Sequence, residues 1–245
     1  MVIVKKEEDL KMSRKKEYYL IVDTETANSV QQPLPYDIGY AICDREGNIQ
    51  LKRSFIVAET FLDYPELMQT AYYAEKIPQY WKDIQEGTRI IRTAYNIKTQ
   101  MRADMKKFNV KKVGAYNMSF DKKALNNLTR YLTKSKHRYW FPFGIQYFCI
   151  WSMATQTILQ QKTFFKMAEK NGWISECGNL KTNAEVTYSY ITKQIDFEES
   201  HTGLEDVEIE VQIFAHCIRQ HKALKWDVNP NCWRIPTKIY KANKK

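Results

Sequence analysis

A chain of 245 residues, 44% hydrophobic and 27% charged, has enough apolar side chain to close its own core, which excludes a disordered or low-complexity polymer. No apolar stretch approaches the roughly twenty residues of a membrane span, and the charged opening MVIVKKEEDLKMSRKKE lacks the apolar centre of a signal peptide, so an intracellular, cytoplasmic protein with no membrane contact is expected. A net charge of +10 favours a polyanionic partner, of which nucleic acid is the commonest.

Residues 1–16 are charged and aperiodic and read as a basic arm. Tyr18 to Val22 form a short β-prone run expected to be a buried strand ending at Asp23. After the loop ANSVQQPLPY, Ile38 to Cys43 read as a second strand, Asp44 to Asn48 as a turn and Ile49 to Val57 as a third strand. This predicts an antiparallel meander with the first strand central. From Thr60 to Phe108 the period becomes helical, with Ile90, Ala94, Ile97, Met101, Met105 and Phe108 on one face of a long helix. Val110 to Ala115 suit a short strand, Phe120 to Leu132 a helix, and 137–150 an irregular loop or short strand. Two or three helices are expected between Trp151 and Thr192, and a strong one from Leu204 to about His221, buried through Leu204, Val207, Val211, Phe214, Ala215 and Ile218.

The remainder, with Trp226, Pro230, Trp233 and Pro236, reads as an extended tail packed by its aromatics. The expected organisation is an arm (1–16), one α/β domain (17–222) and a basic aromatic tail (223–245). Lys5, Lys6, Lys11, Arg14, Lys15 and Lys16 crowd one end, and Lys222, Lys225, Arg234, Lys238, Lys241, Lys244 and Lys245 the other. Phosphate contact and simple solvation both suit these ends. Cys43, Cys149, Cys177, Cys217 and Cys232 are scattered singly, without metal-site spacing, as free thiols are.

The chemistry-bearing residues lie in separate segments. Asp23 and Glu25, in YYLIVDTET, are two apart on a strand, so both carboxylates share a face and can converge on one hard cation. A plain turn or cap fits the same residues. Asp121 closes NMSFD in the first turn of its helix, where the helix dipole alone would favour it and Ser119 can cap. In HTGLED, His201 sits on a Gly-containing loop and Asp206 on the first turn of the next helix. A histidine of near-neutral pKa on such a loop can take a proton from water. A surface histidine beside a capping aspartate is the competing reading.

Taken together, DTET, NMSFD and HTGLED, in that order from residue 23 to residue 206, resemble the DEDDh family of 3′–5′ exonucleases. The resemblance implies a ribonuclease H-like mixed sheet, three antiparallel strands followed by parallel ones, flanked by helices. It implies two divalent cations, Mg2+ or Mn2+, held by Asp23, Glu25, Asp121 and Asp206. His201 would be the general base, and Thr202, four residues before Asp206, separates this chain from the branch that carries tyrosine there. Thr24, Thr26, Asn117, Ser119 and Phe120, beside these motifs, would contact substrate, and Tyr116 precedes them.

The implied activity is hydrolysis of phosphodiester bonds at the 3′ end of single-stranded nucleic acid, releasing nucleoside 5′-monophosphates. The opening motif and the enlarged chain resemble the proofreading members more than the compact ones, which favours DNA and raises a polymerase or other replication partner. An exoribonuclease, and a non-catalytic nucleic-acid-binding module on the same fold, are the alternatives. The stretch from 60 to 108 is longer than compact members need between their first two motifs, and Glu205 adds a carboxylate beside Asp206.

Overall fold

Alternating side chains along one strand, Tyr19–Ser29 (β1), divide the protein into two cores. The computed structural model describes residues 16–244. On one face of β1, Leu20 and Val22 pack with Ile38, Tyr40 and Ile42 of Gln32–Cys43 (β2). On the other, Tyr19 and Ile21 pack with Ala41 and Cys43. The sheet has six strands, completed by Ile49–Val57 (β3), Ile91–Arg92 (β4), Lys112–Ala115 (β5) and Gln146–Cys149 (β6), in the order β4-β3-β2-β1-β5-β6. β1, β2 and β3 run antiparallel, while β5 joins β1, β6 joins β5 and β4 joins β3 in parallel. This is a mixed α/β sheet, antiparallel then parallel, with helices on both faces, as the sequence predicts.

Ala94–Lys107 (α4) and Met118–Tyr131 (α5) cover the first face. Ile150–Thr157 (α6), Lys162–Lys170 (α7), Ala184–Thr192 (α8) and Gly203–Arg219 (α9) cover the second. Between β3 and β4 the chain folds into Ala58–Phe61 (α1), Pro65–Met68 (α2), a short 3-10 turn and Ile77–Gln85 (α3). Phe61, Met68 and Tyr80 of this insertion make a third core with Ala27, Tyr36 and Ile56. Among the described residues no helix is long and apolar enough to cross a membrane. All five cysteines are free, with Cys177 exposed and the others buried.

Three expectations are corrected. First, β1 does not end at Asp23. It continues through a bulge at Glu25/Thr26 to Ser29, and the expected loop is the tight hairpin end of β1 and β2. Pro33 and Pro35 are tolerated there because β3 pairs with β2 only from Asp37 onward. The two proline carbonyls accept instead from Asn127 Nδ2 (3.1 Å) and Thr60 Oγ1 (2.8 Å). Second, Ile90 lies outside α4. The chain extends into β4 against β3, and Thr93 caps the helix by accepting from the Asn96 N–H at 3.3 Å.

Third, the tail is not extended throughout, because Arg234–Ala242 (α10) is helical. Pro236 sits in its first turn, where no N–H is needed. Tyr240, one turn on, packs on Phe165 and donates to Glu169 at 2.9 Å. Trp226 does pack as an aromatic, stacked on Tyr19 at 5.5 Å. Of the basic arm, 1–15 lie outside the described residues, and Lys16 pairs with Asp44 at 2.9 Å.

Candidate active site

The alternation that builds the cores also aims the acids. Asp23 and Glu25 continue the Tyr19–Ile21 face of β1, toward α9, whereas Thr24 continues the Leu20–Val22 face, toward α5. Thr24 Oγ1 accordingly donates to Asp121 Oδ1 on the first turn of α5 at 2.8 Å. The first turn of α9 supplies Asp206, which accepts from Ser200 Oγ (3.1 Å) and from the Thr202 N–H (2.9 Å) at the helix start. His201, two residues before the helix, has φ of 53°, and its ring stacks on Tyr73 with centroids 3.8 Å apart. Ligand atoms of Glu25, His201 and Asp206 lie within 4.8 Å of one another.

These residues line one cleft of about 440 Å³, which also holds Thr24, Thr26, Asn117 and Phe120. Ser119 is exposed and lines the neighbouring surface with Lys122 and Arg130, and α5 carries no side-chain cap. The Tyr116 ring borders the cleft, but its hydroxyl is committed to the segment leading into α8, donating to the Thr182 carbonyl at 2.6 Å.

Three cleft residues that shape its chemistry, Glu210, Glu199 and Tyr73, were not marked in the sequence reading. Glu210 follows Asp206 by one helical turn and is 3% exposed, and an acid at that point of the apolar stripe of α9 was the available signal. Glu199 and Tyr73 come from a loop and from the insertion, and no local pattern marks either.

How α9 is held in place was equally unmarked. Gly203 lies against Gly39 of β2 so closely that a Cβ on Gly39 would come within 1.8 Å of the Gly203 carbonyl oxygen. The buried Asp37 accepts from the Gly203 N–H (3.1 Å), Ser54 (2.8 Å), Tyr80 (2.9 Å) and Arg89 (3.1 Å). Arg89 also pairs with Asp83 (2.9 Å) and Glu205 (3.1 Å), so Glu205 is engaged rather than free in solvent. The insertion is thereby tied to the helix that carries Asp206.

The electrostatics of the cleft are those of an uncompensated acid cluster. Burial, then the neighbouring carboxylates, raise Asp23 and Glu25 well above the ordinary range. Burial likewise raises Asp121 and Asp206 despite their hydrogen bonds, and pushes Glu199 up to about 8. Asp23 Oδ2 and Glu210 Oε2 are buried without a hydrogen-bond partner. Orphaned carboxylate oxygens facing one cleft are the oxygen donor set hard divalent cations take, so the acidic residues fit such ions.

No family model matches this chain, and no curated protein matches it. Among solved structures, exonuclease I from Methylocaldum szegediense aligns at 18% identity over 89% of this chain and 42% of its own, with a TM-score of 0.51. Exonuclease I from E. coli, in complex with a dT13 oligonucleotide, aligns at 15% identity over 82% of this chain and 41% of its own, also at 0.51. This chain spans less than half the length of the exonuclease I chains it matches. At these identities the likeness establishes a shared fold, and the replication partner expected from the sequence finds no support in it.

Proposed function

We propose that this protein is a metal-dependent 3′–5′ exonuclease that hydrolyses the terminal phosphodiester bond of single-stranded nucleic acid, preferentially DNA, and releases nucleoside 5′-monophosphates. The observation that carries the reading is the convergence of Asp23, Glu25, Asp121, Asp206 and His201 in one cleft, with buried carboxylate oxygens left unpartnered. A full acid set is costly to bury and has no use in a module that only binds a polyanion. The alignment with exonuclease I, including the structure holding a dT13 oligonucleotide, supports single-stranded DNA as the substrate class.

In this reading Asp23, Glu25 and Asp206 would hold one divalent cation, and Asp121, with Asp23, would hold a second. Divalent ions there supply Lewis acidity toward the attacking and leaving oxygens. Thr24 fixes the Asp121 carboxylate, and the Thr202 N–H and Ser200 fix that of Asp206. Burial lowers the proton affinity of His201, keeping the imidazole neutral near pH 7, and Tyr73 sets its plane. The imidazole then takes a proton from the water that attacks phosphorus. The bond to the 3′ oxygen breaks, and that oxygen leaves as the 3′-hydroxyl of the shortened strand after taking up a proton. Thr26, Asn117 and Phe120 border the space left for the terminal nucleotide.

The test is digestion of 5′-labelled DNA and RNA single strands of one sequence with Mg2+ or Mn2+, beside Asp23→Ala. Stepwise shortening from the 3′ end, absent in the variant, is expected, with DNA degraded faster. Wild-type turnover by the variant would sink the assignment, and faster RNA digestion would make the enzyme an exoribonuclease.

A further inference from the structure

The surface beyond the cleft carries a second pattern. Residues 122–168 contain no Asp or Glu, although acids are frequent in the rest of the chain. Lys122 and Lys123 stand at the start of this stretch on α5, and Lys136 and Arg138 follow on the loop after the helix. Among the described residues none of these four makes a salt bridge. The loop is not loosely attached. Trp140 and Phe141 are buried, Asn126 Oδ1 accepts from the Trp140 N–H at 3.0 Å, and the Trp140 carbonyl accepts from Arg102 at 2.8 Å.

Anchored in this way, the loop holds its other rings outward, with Tyr139 64% exposed and Phe143 fully exposed. They border a groove of about 930 Å³ together with Lys122, Lys136 and Arg138. Helix α5 leads from the cleft toward the groove. Phe120 lines the cleft, its neighbour Ser119 lines the adjoining depression with Lys122, and Lys122 also lines the groove, its ammonium 3.9 Å from the centre of the Tyr147 ring.

We propose that this groove is the path of the single strand upstream of its terminus, with Lys122, Lys136 and Arg138 along the phosphates and Tyr139 and Phe143 stacking bases. Cations without acidic partners, interleaved with exposed rings held on buried anchors, are what a sequence-tolerant grip on single-stranded nucleic acid requires. An acidic protein partner would use the charge but leave the exposed rings without a role. A duplex would keep its bases paired and out of their reach. The proposal rests on the exonuclease reading only for which end of the strand enters the cleft.

The test uses the full chain in EDTA, with fluorescein-labelled oligothymidylates of about 4 and about 16 nucleotides and a duplex of the longer length, followed by anisotropy across a salt series. Wild type is expected to bind the longer strand at least about tenfold tighter than the shorter one, and tighter than the duplex. Lys136→Gln/Arg138→Gln removes that advantage and lowers the salt slope for the longer strand by about 1.4, two phosphate contacts at ~0.7 each. Phe143→Ala weakens the longer strand with the slope unchanged, and its full exposure makes a folding defect no explanation.

Equal wild-type affinity for both lengths overturns the path, as does equal loss for both lengths in the variants or tighter binding of the duplex. The digestion assay separates the two readings. Length-dependent binding without a 3′ ladder supports the groove and removes the exonuclease, whereas a ladder with length-independent binding overturns the groove alone.

Discussion

Removing Arg89 tests whether the insertion holds the cleft together. Its side chain is 8% exposed and reaches Asp37, Asp83 and Glu205, with the Tyr80 ring 4.9 Å from its guanidinium carbon. Asp37 is wholly buried, and burial lifts its carboxyl above the ordinary range even with the guanidinium in place. In Arg89→Ala that carboxylate keeps Ser54, Tyr80 and the Gly203 N–H but loses its counter-charge. Breaking one side of a buried pair costs about 3–5 kcal/mol. For a chain of this size that is a fall in Tm of roughly 6–20 °C, at about 2–4 °C per kcal/mol.

Urea and thermal unfolding followed by circular dichroism measure it. Asp37→Asn/Arg89→Met, which removes both charges, should cost less than the sum of the single changes. Because Asp37 also receives the first N–H of α9, Arg89→Ala should lose the proposed exonuclease activity under conditions where it remains folded. A loss of stability below about 1 kcal/mol, or strict additivity in the pair, refutes the argument that this buried pair positions α9.

The other predictions concern the cleft itself. Because folding raises the pKa values of Glu199, Asp121 and Asp206, the folded chain binds more protons than the unfolded one from roughly pH 4.5 to pH 8. In EDTA, stability should therefore fall as pH rises through that window, and Mg2+ should raise Tm more at pH 8 than at pH 5; a metal-free Tm that climbs toward pH 8 contradicts the acid-cluster account. Glu210→Gln removes a buried acid, one of whose oxygens has no partner, and should stabilise the metal-free protein at pH 8 by about 1–3 kcal/mol while shrinking the stabilisation by Mg2+. Unchanged unfolding with and without Mg2+ would place Glu210 outside the ion site. His201→Ala should lower kcat by roughly 10²–10⁴ with KM little changed, and parallel loss in both would make the residue a binding group.

What could be read from the chain depended on the range over which each signal acts. The apolar, β-prone run YLIV and the 3.6-residue stripe of α9 are local, and the elements they predict are present. The three acid motifs are each local too, and the fold brings Asp23, Glu25, Asp121, Asp206 and His201 to one cleft. The continuation of β1 past Asp23 was hidden because Pro33 and Pro35 argue against a strand unless its outer edge is known to be open. Helix α10 was hidden by Pro236, which breaks a helix anywhere but in its first turn.

Contacts of long sequence range left no mark at all. Asp37 and Arg89 are separated by a whole insertion, and neither has a neighbour that reveals the other. The same holds for Gly39 and Gly203, whose shared lack of a side chain matters only once β2 and α9 touch. This explains why the acid cluster can be read from a chain with so little overall identity to exonuclease I, while its support cannot. Asp23 and Glu25 on one strand face, and Asp121 and Asp206 in first helical turns, each sit in a local frame the sequence shows. A residue that merely holds that frame in place can come from any element that packs nearby. Here the packing element is the insertion between β3 and β4, which carries both the Arg89 anchor and the Tyr73 ring against His201. Substitutions across that insertion should therefore disturb the cleft more than its distance in sequence from Asp206 implies.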